Sequence, residues 1–168
     1  MRRTLLALGM AVLICGTAAG SAQAGPLRVR SDPNDSTSNL DIRKVITRLS
    51  RTTIYLRLGS WDRFRTLDMH ETWQFALDTV GGHRFDRWVN IYPTARGIKC
   101  DVGKGPHGFT EVGRRPGTRP DRRSAACRLP RGWFGRIRRA VRFKAFVAYY
   151  TSPSAADDAP DHGLYRWI

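Results

Sequence analysis

From residue 41 onward, apolar side chains recur mostly at every second position, the period of a strand with one buried face. Asp41 to Arg48 and Thr52 to Leu58 are β-branched runs separated by Ser50-Arg51, as in a hairpin. In the second run Ile54, Leu56 and Leu58 alternate with Thr53, Tyr55 and Arg57. Trp73, Phe75 and Leu77 repeat the pattern, Gly81-Gly82 supplies a turn, and Phe85 to Tyr92 reads as the returning strand. Shorter strands are expected over 98–102, 109–114 and 124–129, then a long one marked by Val141, Phe143, Ala145, Val147 and Tyr149. Leu27 to Arg30 reads as an edge strand and Leu164 to Ile168 as a closing segment.

Three stretches break the alternation. Trp61, Phe64 and Leu67 recur every three residues, which predicts a short helical crossover over 60–71 with Ser60 as N-cap. The Arg- and Pro-rich stretch through Arg123 and the Asp- and Pro-rich stretch 151–163 read as loops. Seven or eight short strands with evenly spaced turns predict an all-β fold. The expected form is one antiparallel β-sandwich, immunoglobulin-like or jelly-roll, with a single helical crossover. No internal repeat is evident.

The first 24 residues change the picture, because they read as a secretory signal peptide. Arg2 and Arg3 form a positive start, Leu5 to Gly16 an apolar stretch too short for a membrane span, and Ala22-Gln23-Ala24 a cleavage site. The expected mature chain, residues 25–168, has the size of a single domain and is placed outside the cell. Removing Arg2 and Arg3 lowers the formal charge from +15 to +13. All the basic residues except Lys44, Lys99, Lys104 and Lys144 are arginines, a skew that either GC-rich codon usage or attraction to polyanions produces. Cys100 and Cys127 remain after cleavage, and an even count in an oxidising compartment reads as a disulfide.

Signals for catalysis are weak. His70-Glu71 is followed by Gln74 where a zinc-protease helix needs histidine, and His83, His107 and His162 show no ligand spacing. There is no G-x-S-x-G motif, and the glycines at 103–108 lack the spacing of a phosphate-binding loop. No set of nucleophile, base and metal emerges, so an enzyme is the least favoured class.

Binding is better supplied with candidates. Asp32, Asn34, Asp35 and Asp41 lie near the start and Asp157, Asp158 and Asp161 near the end. Were these loops neighbours, their oxygens would suit Ca²⁺; the alternative is that they only make turns. Asp78 and Asp86 flank the Gly81-Gly82 turn, where pairing with Arg84 and Arg87 is preferred to an ion site or a glycosidase pair. Alternation places Asp86, Trp88, Asn90 and Tyr92 on one face if Phe85, Val89 and Ile91 face inward, with Gln74 and Tyr55 joining from neighbouring strands. Aromatic planes beside amide and carboxylate groups suit a sugar platform; a second apolar layer is the alternative. Arg114, Arg115, Arg119, Arg122, Arg123, Arg136, Arg138, Arg139 and Arg142 form the densest basic region, which implies nonspecific polyanion binding without sequence reading.

The segments Asp32-Pro33-Asn34-Asp35, Leu40-Asp41-Ile42, Leu77-Asp78-Thr79 with Asp86, and Asp158-Ala159-Pro160-Asp161 together resemble a pattern in small secreted actinobacterial β-sandwich proteins of unassigned function. The chain is also loosely similar to calcium-binding, carbohydrate-module sandwiches. The resemblance implies a sandwich and, through those modules, calcium and sugars as ligands. The expected function is a secreted, monomeric, non-catalytic protein that binds envelope or extracellular polysaccharide. The alternative is a cationic protein for teichoic acid, nucleic acid or anionic lipid.

Overall fold

The structure is a computed structural model and describes residues 25–35, 41–63, 71–82, 84–94, 96–105, 110–137, 141–149, 152–160 and 163–167. The segment 1–24, expected as a signal peptide, lies outside these residues.

Two antiparallel sheets face each other. The first, sheet A, has the order β1 (Arg28–Ser31), β2 (Ile42–Leu49), β3 (Thr53–Ser60), β9 (Ser124–Pro130), β8 (Thr118–Asp121). Sheet B has the order β11 (Ser152–Ala159), β10 (Arg142–Tyr149), β4 (Glu71–Asp78), β5 (Arg87–Thr94), β6 (Gly97–Lys104), β7 (Thr110–Pro116), and β12 (Tyr165–Arg166) also pairs with β10. This is the expected all-β sandwich. Among the described residues the only helical element is a 3-10 turn, Arg131–Phe134, and no helix is long and apolar enough to cross a membrane.

The period-two pattern explains the core. Ile54, Leu56 and Leu58 of β3, Trp73, Phe75 and Leu77 of β4, Val89 and Ile91 of β5, and Phe143, Ala145 and Val147 of β10 are all buried in one cluster. Phe134 of the 3-10 turn and Trp167 close it. The alternate residues of each strand therefore point outward, which gives each sheet an outer face of its own.

The two flanks of the sandwich are joined differently. At one, a disulfide between Cys100 of β6 and Cys127 of β9 ties the sheets together, with a Cα–Cα distance of 6.0 Å. The chain itself crosses there from β7 to β8 through Gly117, whose Cβ position lies 2.8 Å from Cys100 Sγ. Only glycine fits that corner without displacing its neighbours. At the other flank β2 meets β11, and the Ile42 N–H donates to the Asp157 carboxylate across the sheets at 2.5 Å.

Three expectations are revised. Residues 152–159 are a strand, not a loop, and the Arg- and Pro-rich stretch is the end of β7 and all of β8. Ser60 ends β3 and its hydroxyl donates to the Asp62 and Arg123 carbonyls, so it caps no helix; residues 64–70 of the expected crossover lie outside the described residues.

Candidate functional site

The outer face of sheet B holds the first group of expected binding residues. Because Val89 and Ile91 are in the core, Trp88, Asn90 and Tyr92 of β5 share the outward face, all half-buried. Strand register adds neighbours: Phe146 of β10 pairs with Gln74 of β4, Gln74 with Asn90, Asn90 with Asp101 of β6, and Asp101 with Arg114 of β7. These five residues form one straight row across the sheet, about 19 Å long at ordinary strand spacing.

The aromatic part is held rigidly. The Trp88 indole N–H donates to the Gly105 carbonyl at 3.1 Å, and the ring meets Phe85 and Phe146 edge-on, each with centroids 5.9 Å away. Phe85 was expected to face inward, but it precedes the strand and packs on Trp88 instead. At the other end the Tyr92 hydroxyl donates to Asp101, which also accepts from Arg114 Nε at 2.6 Å. That bond and the charge of Asp101 push the Arg114 guanidinium above its ordinary range. Between these ends the Asn90 Oδ1 is enclosed and accepts no hydrogen bond from the described residues. A buried carbonyl that stays without a donor costs about 1–3 kcal/mol, so this oxygen has acceptor capacity that the described residues do not use.

Two residues expected on this platform stand elsewhere. Asp86 accepts from the Thr79 N–H and hydroxyl, both at 2.6 Å, and pairs with Arg87, so it secures the β4–β5 hairpin. Tyr55 belongs to sheet A and lines a groove of about 470 Å³ on the opposite side, between Arg48 and Arg128. The companion carboxylate, Asp78, accepts from the Gly81 and Gly82 N–H groups and pairs with Arg142, not Arg84. Burial opposes its ionisation, but the Arg142 bond and the two glycine amides outweigh it and hold the carboxyl below its usual range.

The acidic segments meet at the β2–β11 flank. Carboxylate oxygens of Asp35, Asp41 and Asp157 all lie within 4.8 Å of one another, a cluster able to hold a metal ion. Asp41 and Asp157 are buried and Asp35 is exposed. Burial, with the charges of Asp41 and Asp35, drives the Asp157 carboxyl up to about 6 despite the Ile42 N–H bond. Asp32 is buried nearby, its N–H bonded to the Arg43 carbonyl, and Asn34 is exposed. Asp158 points to the outer face of sheet B, where it pairs with Lys144. Asp161 lies outside the described residues, as do all four histidines and the expected basic residues Arg138 and Arg139.

The rest of the basic region is dispersed. Arg114 and Arg142 are paired on sheet B, Arg115 lies over the Trp133 ring at 5.8 Å, and Arg119 and Arg136 are exposed. Arg122 and Arg123 instead line a groove of about 240 Å³ on sheet A with Arg43, Lys44 and Arg63. Those three are separated by at least fifty residues from the dense region, so composition along the chain gave no signal for them. Phe146 and Asp101 were also missed at the platform. Alternation in β10 carries Phe146 to the outer face, but only the register places it beside Gln74.

No protein family, curated protein or solved structure matches this chain. The functional reading therefore rests on the geometry.

Proposed function

We propose that the chain is a secreted, non-catalytic binding protein whose outer sheet B face takes a neutral stretch of envelope or extracellular polysaccharide. The row of Phe146, Gln74, Asn90 and Asp101 beside Trp88 and Tyr92 carries the reading. Sugar rings present an apolar face and a rim of hydroxyls, which match half-buried aromatic rings and amide groups. The enclosed Asn90 carbonyl gains an acceptor role once its carboxamide turns toward a ligand hydroxyl, since that torsion is broad. The disulfide supports an extracellular destination, because such bonds persist in oxidising compartments.

Calcium is the proposed occupant of the acidic cluster. Hard carboxylate oxygens suit it, and the cluster supplies part of the roughly six to eight oxygens it takes, leaving the rest to backbone and water. Its role there is to join β2 to β11 rather than to touch the sugar.

The direct test is retention of the protein on insoluble neutral polysaccharides, compared with Trp88→Ala and Gln74→Ala. Each substitution is expected to reduce the bound fraction severalfold at a temperature well below the melting midpoint, which Gln74→Ala leaves nearly unchanged and Trp88→Ala lowers through lost packing on Phe85 and Phe146. Equal retention of all three proteins would remove the platform.

A further inference from the structure

The groove between β2, β3 and the β8–β9 hairpin belongs to neither site. Arg43, Lys44, Arg63, Arg122 and Arg123 surround it. Among the described residues, none of these five side chains forms an ion pair with a carboxylate. Its one acidic residue, Asp121, is already engaged: one oxygen accepts from Arg57, which lies outside the groove, and the other from the Arg123 N–H at 2.8 Å. Burial resists ionisation of Asp121, but the Arg123 N–H, the Ser124 side chain and the charges of Arg57 and, more weakly, Lys44 outweigh it and hold the carboxyl below its ordinary range, so Asp121 offsets only part of the charge around the groove.

The floor is built from small residues. A Cβ at Gly59 would come within 3.3 Å of the Lys44 stem, so glycine lets that side chain lie across the strand. The hairpin is fixed over the floor by Ser60, whose N–H and hydroxyl both donate to the Arg123 carbonyl, at 2.7 and 3.1 Å. Arg43 is steadied from the side by the Trp61 ring, 5.2 Å from its guanidinium carbon. Like charges held around one hollow repel each other, and a counter-ion of matching charge relieves that repulsion.

We infer that this groove is a binding site for a phosphate group, free or esterified in a polyol-phosphate chain. Guanidinium forks match the tetrahedral oxygens shared by a free phosphate and a phosphodiester, and several cations around about 240 Å³ suit an anion that accepts from more than one of them. The site lies on the face opposite the sugar platform, so the inference does not depend on that reading.

Calorimetric titration of the full mature chain at low ionic strength tests it, with inorganic phosphate and with poly(glycerol phosphate) as probes. The Arg63→Gln/Arg123→Gln variant is expected to bind either probe about tenfold more weakly. Arg48→Gln/Arg128→Gln, which removes the same charge from the neighbouring groove of sheet A, is expected to change binding by less than about twofold. Binding of only one probe, lost in the first variant, supports the site and identifies the source of the phosphate. Equal weakening by both variants, or no binding of either probe, overturns it. Trp88→Ala is expected to leave phosphate binding intact, which separates this outcome from failure of the sugar reading.

Discussion

At the residue scale Asp157 joins two opposing demands. Its carboxylate is the acceptor that holds β11 to β2, yet it is buried beside Asp41 and Asp35. With its folded value raised to about 6 from 3.8, the folded state binds the proton more tightly than the unfolded chain. The metal-free protein therefore keeps this contribution in full below about 3.8 and loses it as pH rises through about 6, a change of at most about 3 kcal/mol that solvent screening reduces. Asp78 and Asp121 act oppositely, since both are held below their ordinary range and lose their contribution on acidification. Urea melts in EDTA across pH 3 to 8 are expected to show greatest stability near pH 4 to 5. Asp157→Asn removes the buried charge but keeps an acceptor for Ile42, so it is expected to raise the midpoint at neutral pH and to abolish any gain from Ca²⁺. A calcium shift that survives in this variant would dismiss the cluster as the site. Gly117 offers a plainer test: the added methyl of Gly117→Ala meets Ile98 at 2.6 Å and the disulfide sulfur at 2.8 Å, costing roughly 1–3 kcal/mol in chemical denaturation.

At the element scale the sandwich is joined once by a covalent bond and once by polar groups. The disulfide closes a sequence separation of 27 residues, so its reduction is expected to cost about 3–4 kcal/mol in a denaturant titration with and without thiol. Calcium at the opposite flank is expected to raise the midpoint in proportion to the logarithm of its concentration, and no response would remove it. These flanks also mark where the sequence was readable. Strands with one buried face, such as β3 and β4, declare themselves through Ile54-Leu56-Leu58 and Trp73-Phe75-Leu77. β11 does not, because Ser152–Ala159 is small and polar and its inward positions include a carboxylate, Asp157, beside Ala159. β8, Thr118–Asp121, is a fully exposed edge strand that buries nothing for a pattern to record. Trp88, Asn90 and Tyr92 could be placed on one face because period two settles it locally. Tyr55 could not be placed relative to them, because local sequence does not say which sheet a strand joins.

At the scale of the whole molecule the two outer faces differ in chemistry. Sheet A carries Arg48, Arg57, Arg128 and the five cations of the groove, with Asp121 already paired. Sheet B carries aromatic and amide groups, and Asp101, Asp158 and Asp78 there are each matched by a cation. A ligand recognised on sheet B is therefore held chiefly by stacking and neutral hydrogen bonds, while one on sheet A is held by charge. Salt separates these, since screening at high ionic strength weakens the second and spares the first.

The most direct measurement is calorimetric titration of a soluble neutral polysaccharide into the wild-type protein and Trp88→Ala, each at low and high salt. The account predicts wild-type binding that changes less than about twofold with salt and falls at least about tenfold on loss of the indole. Wild-type binding that collapses as salt rises, or that Trp88→Ala leaves untouched, would contradict it.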